Sequence, residues 1–219
     1  MKNLTLILSF TLLSGFLCGQ ENKPSGDYHL GFRIAPRIST LGAGLEVAKG
    51  FTPNFGVRAG FNYFSYAYDA TESDVSYDFE LELKSFAVFA DWHPFKGAFR
   101  LSGGLLINGN GLTGNAKPTG SVKIGDNDYT GLSSVDLDIS YNALAPYLGL
   151  GWDTTFGDND NWGFAFDLGL IYSGSPEAAI STDPTVSATD IEKEKQELQD
   201  DLDTLKWWPV VSAGLVYQF

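Results

Sequence analysis

The sequence has one cysteine, Cys18, two histidines, His29 and His93, and one methionine, Met1. A lone cysteine excludes an internal disulfide framework and a Cys-rich zinc site. Two histidines leave few imidazoles for base catalysis or metal ligation. Positive charge is scarce as well. Fourteen Lys and Arg face 27 Asp and Glu, for a net charge of −13. That balance argues against nucleic acid as a partner, because phosphate binding needs a basic surface. Beyond the first 20 residues no apolar run reaches the 18 or so residues of a membrane helix.

What is present is aromatic and small. Aromatics make up 14% of the 219 residues and glycine accounts for 25. A chain of this length fits two compact domains or one large all-β domain. Residues 1–20, MKNLTLILSFTLLSGFLCGQ, carry Lys2 as a positive start and an apolar stretch from Leu4 to Leu17. They read as a secretory signal cut near Gly19 or Gln20, leaving 21–219 as one barrel domain. Leu17 and Phe16 before Cys18 are a poor match to a lipoprotein signal, so Cys18 is expected to leave with the leader.

The remainder alternates with period two. Val211, Ala213, Leu215, Tyr217 and Phe219 share one face, with Ser212, Gly214 and Gln218 on the other and Val216 as the apolar exception. Runs around Phe55–Tyr63, Phe99–Asn108 and Trp162–Tyr172 repeat the pattern, with large apolar residues opposite small, polar or charged ones. Such alternation places the two sets on opposite faces of a sheet. The polar face carries many glycines and few long charged chains, which suits the cramped interior of a narrow barrel. The other face suits lipid with aromatic girdles. A closed barrel is the β structure that leaves no unpaired backbone in lipid.

Eight strands are expected, at 27–35, 40–50, 55–68, 75–93, 98–110, 135–153, 162–173 and 207–219. The connections at 51–54, 94–97 and 154–161 are short. Those at 69–74, 111–134 and 174–206 are longer, as between the two ends of a membrane barrel. Apolar parity changes within two strands, and the reading is bulges near Ser85 and Asn142 or strand tips projecting beyond the bilayer.

The closing segment Leu215-Val216-Tyr217-Gln218-Phe219 resembles the assembly signal of the small eight-stranded outer-membrane barrels of Gram-negative bacteria, the OmpA/OmpX/OmpW-like group. The resemblance covers the whole of 21–219. It implies a cell-envelope location in the outer membrane, insertion by the outer-membrane assembly machinery through Leu215, Tyr217 and Phe219, and lipid and lipopolysaccharide as surroundings. It implies no single activity, because small barrels host many.

Within the barrel, parity turns Arg33, Glu46, Arg58, Asp91, Arg100 and Asp167 inward. An eight-stranded barrel is just wide enough to be filled by side chains, so these read as a salt-bridged plug rather than a selectivity lining. His29 and His93 fall near the turns, away from any outward Ser, so no catalysis is expected. Gly109–Gly114 formally matches a dinucleotide fingerprint, but the following Asn115–Pro118 reads as loop and not as a helix start. Residues 158–161 read as a solvated turn and not a calcium loop, because the twelfth position would be Gly169. No cofactor or metal is expected. Thr189-Asp190-Ile191-Glu192 has capping-box spacing before a helix at 192–206, with Ile191, Leu198, Leu202 and Leu205 as its apolar stripe. Trp207 and Trp208 read as an interfacial anchor, and 111–134 as a mobile surface loop. The expectation is an outer-membrane barrel, taken as a monomer, with a structural or surface-contact role. A narrow porin-like passage for small or apolar solutes is the second reading, and a lipid-modifying enzyme the third.

Overall fold

A computed structural model describes residues 28–72 and 75–219. The expected leader, with Cys18, lies outside the described residues. Eight strands close into an antiparallel barrel: β1 (Phe32–Ser39), β2 (Gly42–Thr52), β3 (Phe55–Glu72), β4 (Val75–Trp92), β5 (Phe99–Asn108), β10 (Leu144–Asp153), β11 (Trp162–Tyr172) and β13 (Trp207–Gln218). Closure comes from β1 pairing with β13, Arg33 opposite Gln218 and Ser39 opposite Ser212. With every strand paired on both sides, the barrel wall has no edge.

Five more strands and one helix lie beyond one end. They are β6 (Gly111–Pro118), β7 (Ser121–Ile124), β8 (Asn127–Thr130), β9 (Val135–Ser140), β12 (Glu177–Thr182) and α1 (Ala188–Leu202). The segment expected to be a mobile loop, 111–134, is therefore largely sheet. Asn115–Pro118 is the end of β6 and not loop. The cause is long-range pairing. β4 is 18 residues long, and its half beyond β5 offers an edge that β6 takes in the same register, Glu82 opposite Gly111 following Ser85 opposite Asn108. β9 then pairs with β6, and β12 with β9. The wall of the barrel thus continues on one side as a curved sheet, β3-β4-β6-β9-β12.

The change of apolar parity has a single origin. Pairing of β3 with β4 runs without a shift from Phe55 opposite Trp92 to Glu72 opposite Val75, so there is no bulge at Ser85. Instead the apolar set changes sides. In the barrel Phe86, Val88 and Trp92 point outward and are about half exposed. Beyond Ser85 the outward positions are Lys84, Glu82, Glu80 and Asp78, while Leu83, Leu81, Phe79 and Tyr77 face the interior side. The strand passes from a surround that rewards apolar side chains to one that rewards charge. At Asn142, the other expected bulge, the strand breaks between β9 and β10.

On the extended sheet α1 covers the interior face. Leu198 and Leu202 pack with Ile139 and Ala178, and Ile191 packs with Ile124, Leu132 and Val186 under the β7–β8 hairpin. Leu205, expected in the same stripe, is half exposed and beyond the helix. The helix starts four residues earlier than expected. Ser187 is its cap, with its Oγ accepting from Thr189 N at 3.2 Å. Asp190 is turned to the hairpin, where Tyr129 Oη donates to it at 2.6 Å and Asn127 Nδ2 at 2.9 Å, and Asp126 N also donates. Gly125, at φ 60°, makes the hairpin turn beside it, and a Cβ there would come within 2.8 Å of Asp190 Oδ1.

The Tyr129 hydroxyl, with Asn127 and the Asp126 amide, holds the Asp190 carboxyl below the usual carboxylate range. A lowered folded pKa means this stabilisation is whole above the unfolded value of about 4 and fades as pH falls through the lowered one. Amide protection in 121–130, taken relative to the intrinsic exchange rate at each pH, is therefore expected to be steady from pH 7 to 5 and to fall at lower pH. In Asp190→Ala that protection should be low at every pH, with β1 and β13 unchanged. Equal protection in the variant at neutral pH would contradict the assignment.

Candidate functional site: the barrel lumen

Inward positions alternate with outward ones along each strand, so the lumen is built from every second residue. The large side chains there need room that glycine supplies. A Cβ on Gly149 would come within 2.2 Å of the Tyr147 hydroxyl, one on Gly169 within 2.4 Å of its ring, and one on Gly151 would meet Asp167. The polar face expected from sequence to be small is small because a few long side chains fill the space it leaves.

The six expected interior charges all lie inside and are buried: Arg33, Glu46, Arg58, Asp91, Arg100 and Asp167. Two more join them, Arg37 and Asp153. The set holds four guanidinium groups and four carboxylates, so its formal charge cancels. Arg58 reaches Glu46 at 2.8 Å, Asp91 at 2.8 Å and Asp167 at 3.3 Å. Arg100 bonds Asp167 at 2.9 Å and lies 3.4 Å from Asp153, which Arg33 holds at 2.6 Å. Arg37 bridges Glu46 at 3.0 Å and also pairs with Asp167. Two hydroxyls complete the network. Ser102 Oγ donates to Asp91 at 2.6 Å, and Arg37 Nε donates to Ser212 Oγ at 2.8 Å. The Arg58 guanidinium also lies over the Phe89 ring, 4.6 Å from its centre.

Toward the loop end the lumen is closed by an apolar layer. Leu41, Leu106, Tyr147, Ile171 and Val210 pack together, with Phe89 and Trp208 against them. Trp208 thus lies in the lumen, 6.4 Å from Tyr141 and perpendicular to it. Of the expected anchor pair only Trp207 is outward, against Tyr172 at 4.9 Å. Between the charged and apolar layers is a cavity of about 40 Å³, room for one to three waters on the order of magnitude.

At the opposite mouth, the turn after β10 folds inward. Phe156 is buried and stacks on His93 with ring centres 3.4 Å apart, and Arg33 lies over the same ring. His93 Nδ1 is 2.7 Å from Gly97 O, and burial lowers its pKa to about 4. His29 precedes β1 at the same end and is exposed. Residues 154–161 form a turn, as expected.

The outer surface is the reverse of the lumen. Leu148 is 74% exposed and Ile38 77%, among many outward Val, Leu and Phe. Aromatics ring the turn end, including Phe32, Phe55, Trp92, Phe95, Trp162 and Phe219. Tyr217 sits between Trp162 at 4.8 Å and Phe219 at 4.9 Å. Leu215, Tyr217 and Phe219 therefore share the outward face of β13, while Val216 packs inward with Ala35 and Ala165.

Parity pointed to six of the charges. Arg37 carries the same parity as Arg33 and Ala35, but Pro36 precedes it next to an expected turn. Asp153 has the inward parity of Tyr147 at the very end of a strand, where turn residues are common.

No protein-family model and no curated protein matches the chain. Among solved structures it is similar to two outer-membrane barrels of Acinetobacter baumannii. The crystal structure of CarO2 matches at 19% identity and a TM-score of 0.58, over 87% of this chain and 99% of that one. The crystal structure of CarO matches at 21% identity and a TM-score of 0.55, over 90% and 100%. The shared feature is the fold, a closed eight-stranded antiparallel barrel.

Removing Asp167 leaves Arg37, Arg58 and Arg100 short of a shared carboxylate in a dry space. Breaking a buried pair this way costs about 3–5 kcal/mol. Asp167→Ala is expected to lower the urea midpoint of the refolded barrel by that equivalent, read by the heat-dependent gel shift. A change below about 1 kcal/mol, the scale of a surface pair, would contradict a desolvated network.

Proposed function

We propose that the chain is an integral outer-membrane protein whose barrel is a sealed anchor and whose loop end is a folded surface platform, a structural or contact role without catalysis. The observation that carries this reading is the exchange of faces at Ser85. The outward apolar stretch of β3, Phe55 to Tyr63, approximates the 9–11 residues a tilted strand needs to span hydrocarbon. Beyond it the same face turns polar, with Ser65 and Asp69 exposed. Lipid and lipopolysaccharide surround the belt. The outer-membrane assembly machinery reads Leu215, Tyr217 and Phe219. The turns face the periplasm, and α1 with the extended sheet faces outward.

Charge neutrality inside the lumen supports an anchor over a passage. A conducting pore needs a continuous water path. Here an apolar layer, an ionic layer and the inserted Phe156 follow one another along the axis. The absence of catalysis is supported by the imidazoles. His93 is stacked on Phe156 and bonded through Nδ1 to Gly97 O at the turn end, and among the described residues its Nε2 meets no serine hydroxyl.

Refolded residues 21–219 in a planar bilayer are expected to give no steady conductance, and Arg100→Ala to give none either, since the apolar layer stays closed. A stable wild-type current that Arg100→Ala alters would replace the anchor reading with a narrow channel.

A further inference from the structure

The platform core is split. One apolar group gathers around Ile124, Leu132 and Val186, and the other around Ile139, Ala178 and Leu202. Between them, under α1 and the β7–β8 hairpin, is a cavity of about 320 Å³. Its floor is the interior face of β4, β6, β9 and β12, with Tyr77, Phe79, Ala116, Leu137 and Ile180 among the lining side chains. Val122 and Ile124 of the hairpin and Leu198 of α1 close it from above. The cavity is partly open to solvent and lined mainly by apolar side chains. An apolar hollow of this size, in so small a core, reaches the range of small-molecule sites.

Three further features describe what fits. Tyr77 and Phe79 lie parallel, 7° apart with ring centres at 6.0 Å, and offer a flat aromatic wall. Tyr68 pairs with Phe79, so it continues that wall on β3, and it is about half exposed. Lys123 and Glu194 are the charged members of the lining. Polar groups in the lining are few, which is how apolar sites fix orientation without losing their apolar character.

We propose that this cavity is a binding site for a small amphiphile, an apolar body of roughly ten to twenty non-hydrogen atoms with one polar head for Lys123 or Glu194. The site lies wholly within the sheet, hairpin and helix, so it does not depend on which side of a membrane the platform faces or on whether the lumen conducts. The apolar body is either a free solute or the chain of a lipid.

The probe is a ten-carbon aliphatic alcohol bearing a diazirine, photolysed with the refolded barrel and mapped by peptide mass spectrometry. Saturable labelling of 75–79, 114–124 and 194–198 is expected, displaced at least fivefold by excess 1-decanol. Labels on the outward barrel face, such as at Leu148 and Phe164, serve as the partitioning control and should fall far less. Ala116→Trp, or Ile180→Phe as a second filling variant, should remove the platform labels and leave those of the belt, with the gel shift showing a folded barrel. Platform labelling equal in lipid-free micelles and phospholipid nanodiscs identifies a free solute. Labelling that drops in nanodiscs identifies a lipid chain competing for the site. Labels confined to the belt in both, or platform labels that survive both filling variants, would overturn the proposal.

Discussion

Eight ionised side chains share a space that water barely enters, and they are tolerated there because each guanidinium finds a carboxylate. The barrel imposes this arrangement. Its outer face is apolar, so the alternation of a strand leaves the inward face as the place for polar groups. Desolvating eight charges is costly, and in a low dielectric only close pairing offsets it. Asp167 is the meeting point, with Arg37, Arg58 and Arg100 all on its two oxygens. The glycines at 151 and 169 follow from the same demand, since the side chains they make room for fill the lumen.

The apolar layer above the ions is a consequence of closure at the loop end. In the proposed setting the wall changes there from a lipid-facing to a water-facing exterior. Once the outward face becomes polar, the apolar residues of the same strands must turn inward, and they need a cover. Tyr147 and Trp208 supply it in the barrel, and α1 with the hairpin supplies it on the extended sheet. Helix, hairpin and long strands are thus one solution to one problem, the burial of an apolar interior face that the barrel wall no longer encloses. The acidic surface of α1 is the solvated side of that cover.

Much of this was legible in the sequence. Strict alternation in 55–63, 162–172 and 211–219 marks strands because each contributes large apolar residues to one face only. Arg58 and Arg100 could be placed inside because they interrupt such runs at the opposite parity. The platform strands were not legible. In β6, Gly111-Leu112-Thr113-Gly114-Asn115-Ala116-Lys117-Pro118 has two glycines and a proline, and reads locally as loop. It is a strand because the long β4 edge recruits it, a tertiary effect that overrides propensity. β7 and β8 are four residues each, too short to show a period. The start of α1 is not legible locally, because Thr189 offers the capping-box spacing to Glu192 whereas Ser187 makes the bond. The parity change near Ser85 was visible, and choosing between a bulge and a projecting strand required the register of β3 against β4.

The central claim is that one contour around the wall separates lipid from water. Single cysteines placed in turn along the outward face of β4, at Val88, Phe86, Lys84, Glu82 and Glu80, test it in permeabilised lipid vesicles with a water-soluble maleimide. The account predicts protection at Val88 and Phe86 and full labelling from Lys84 onward, a step across two residues. Uniform labelling of all five positions, or protection extending to Glu80, would contradict it.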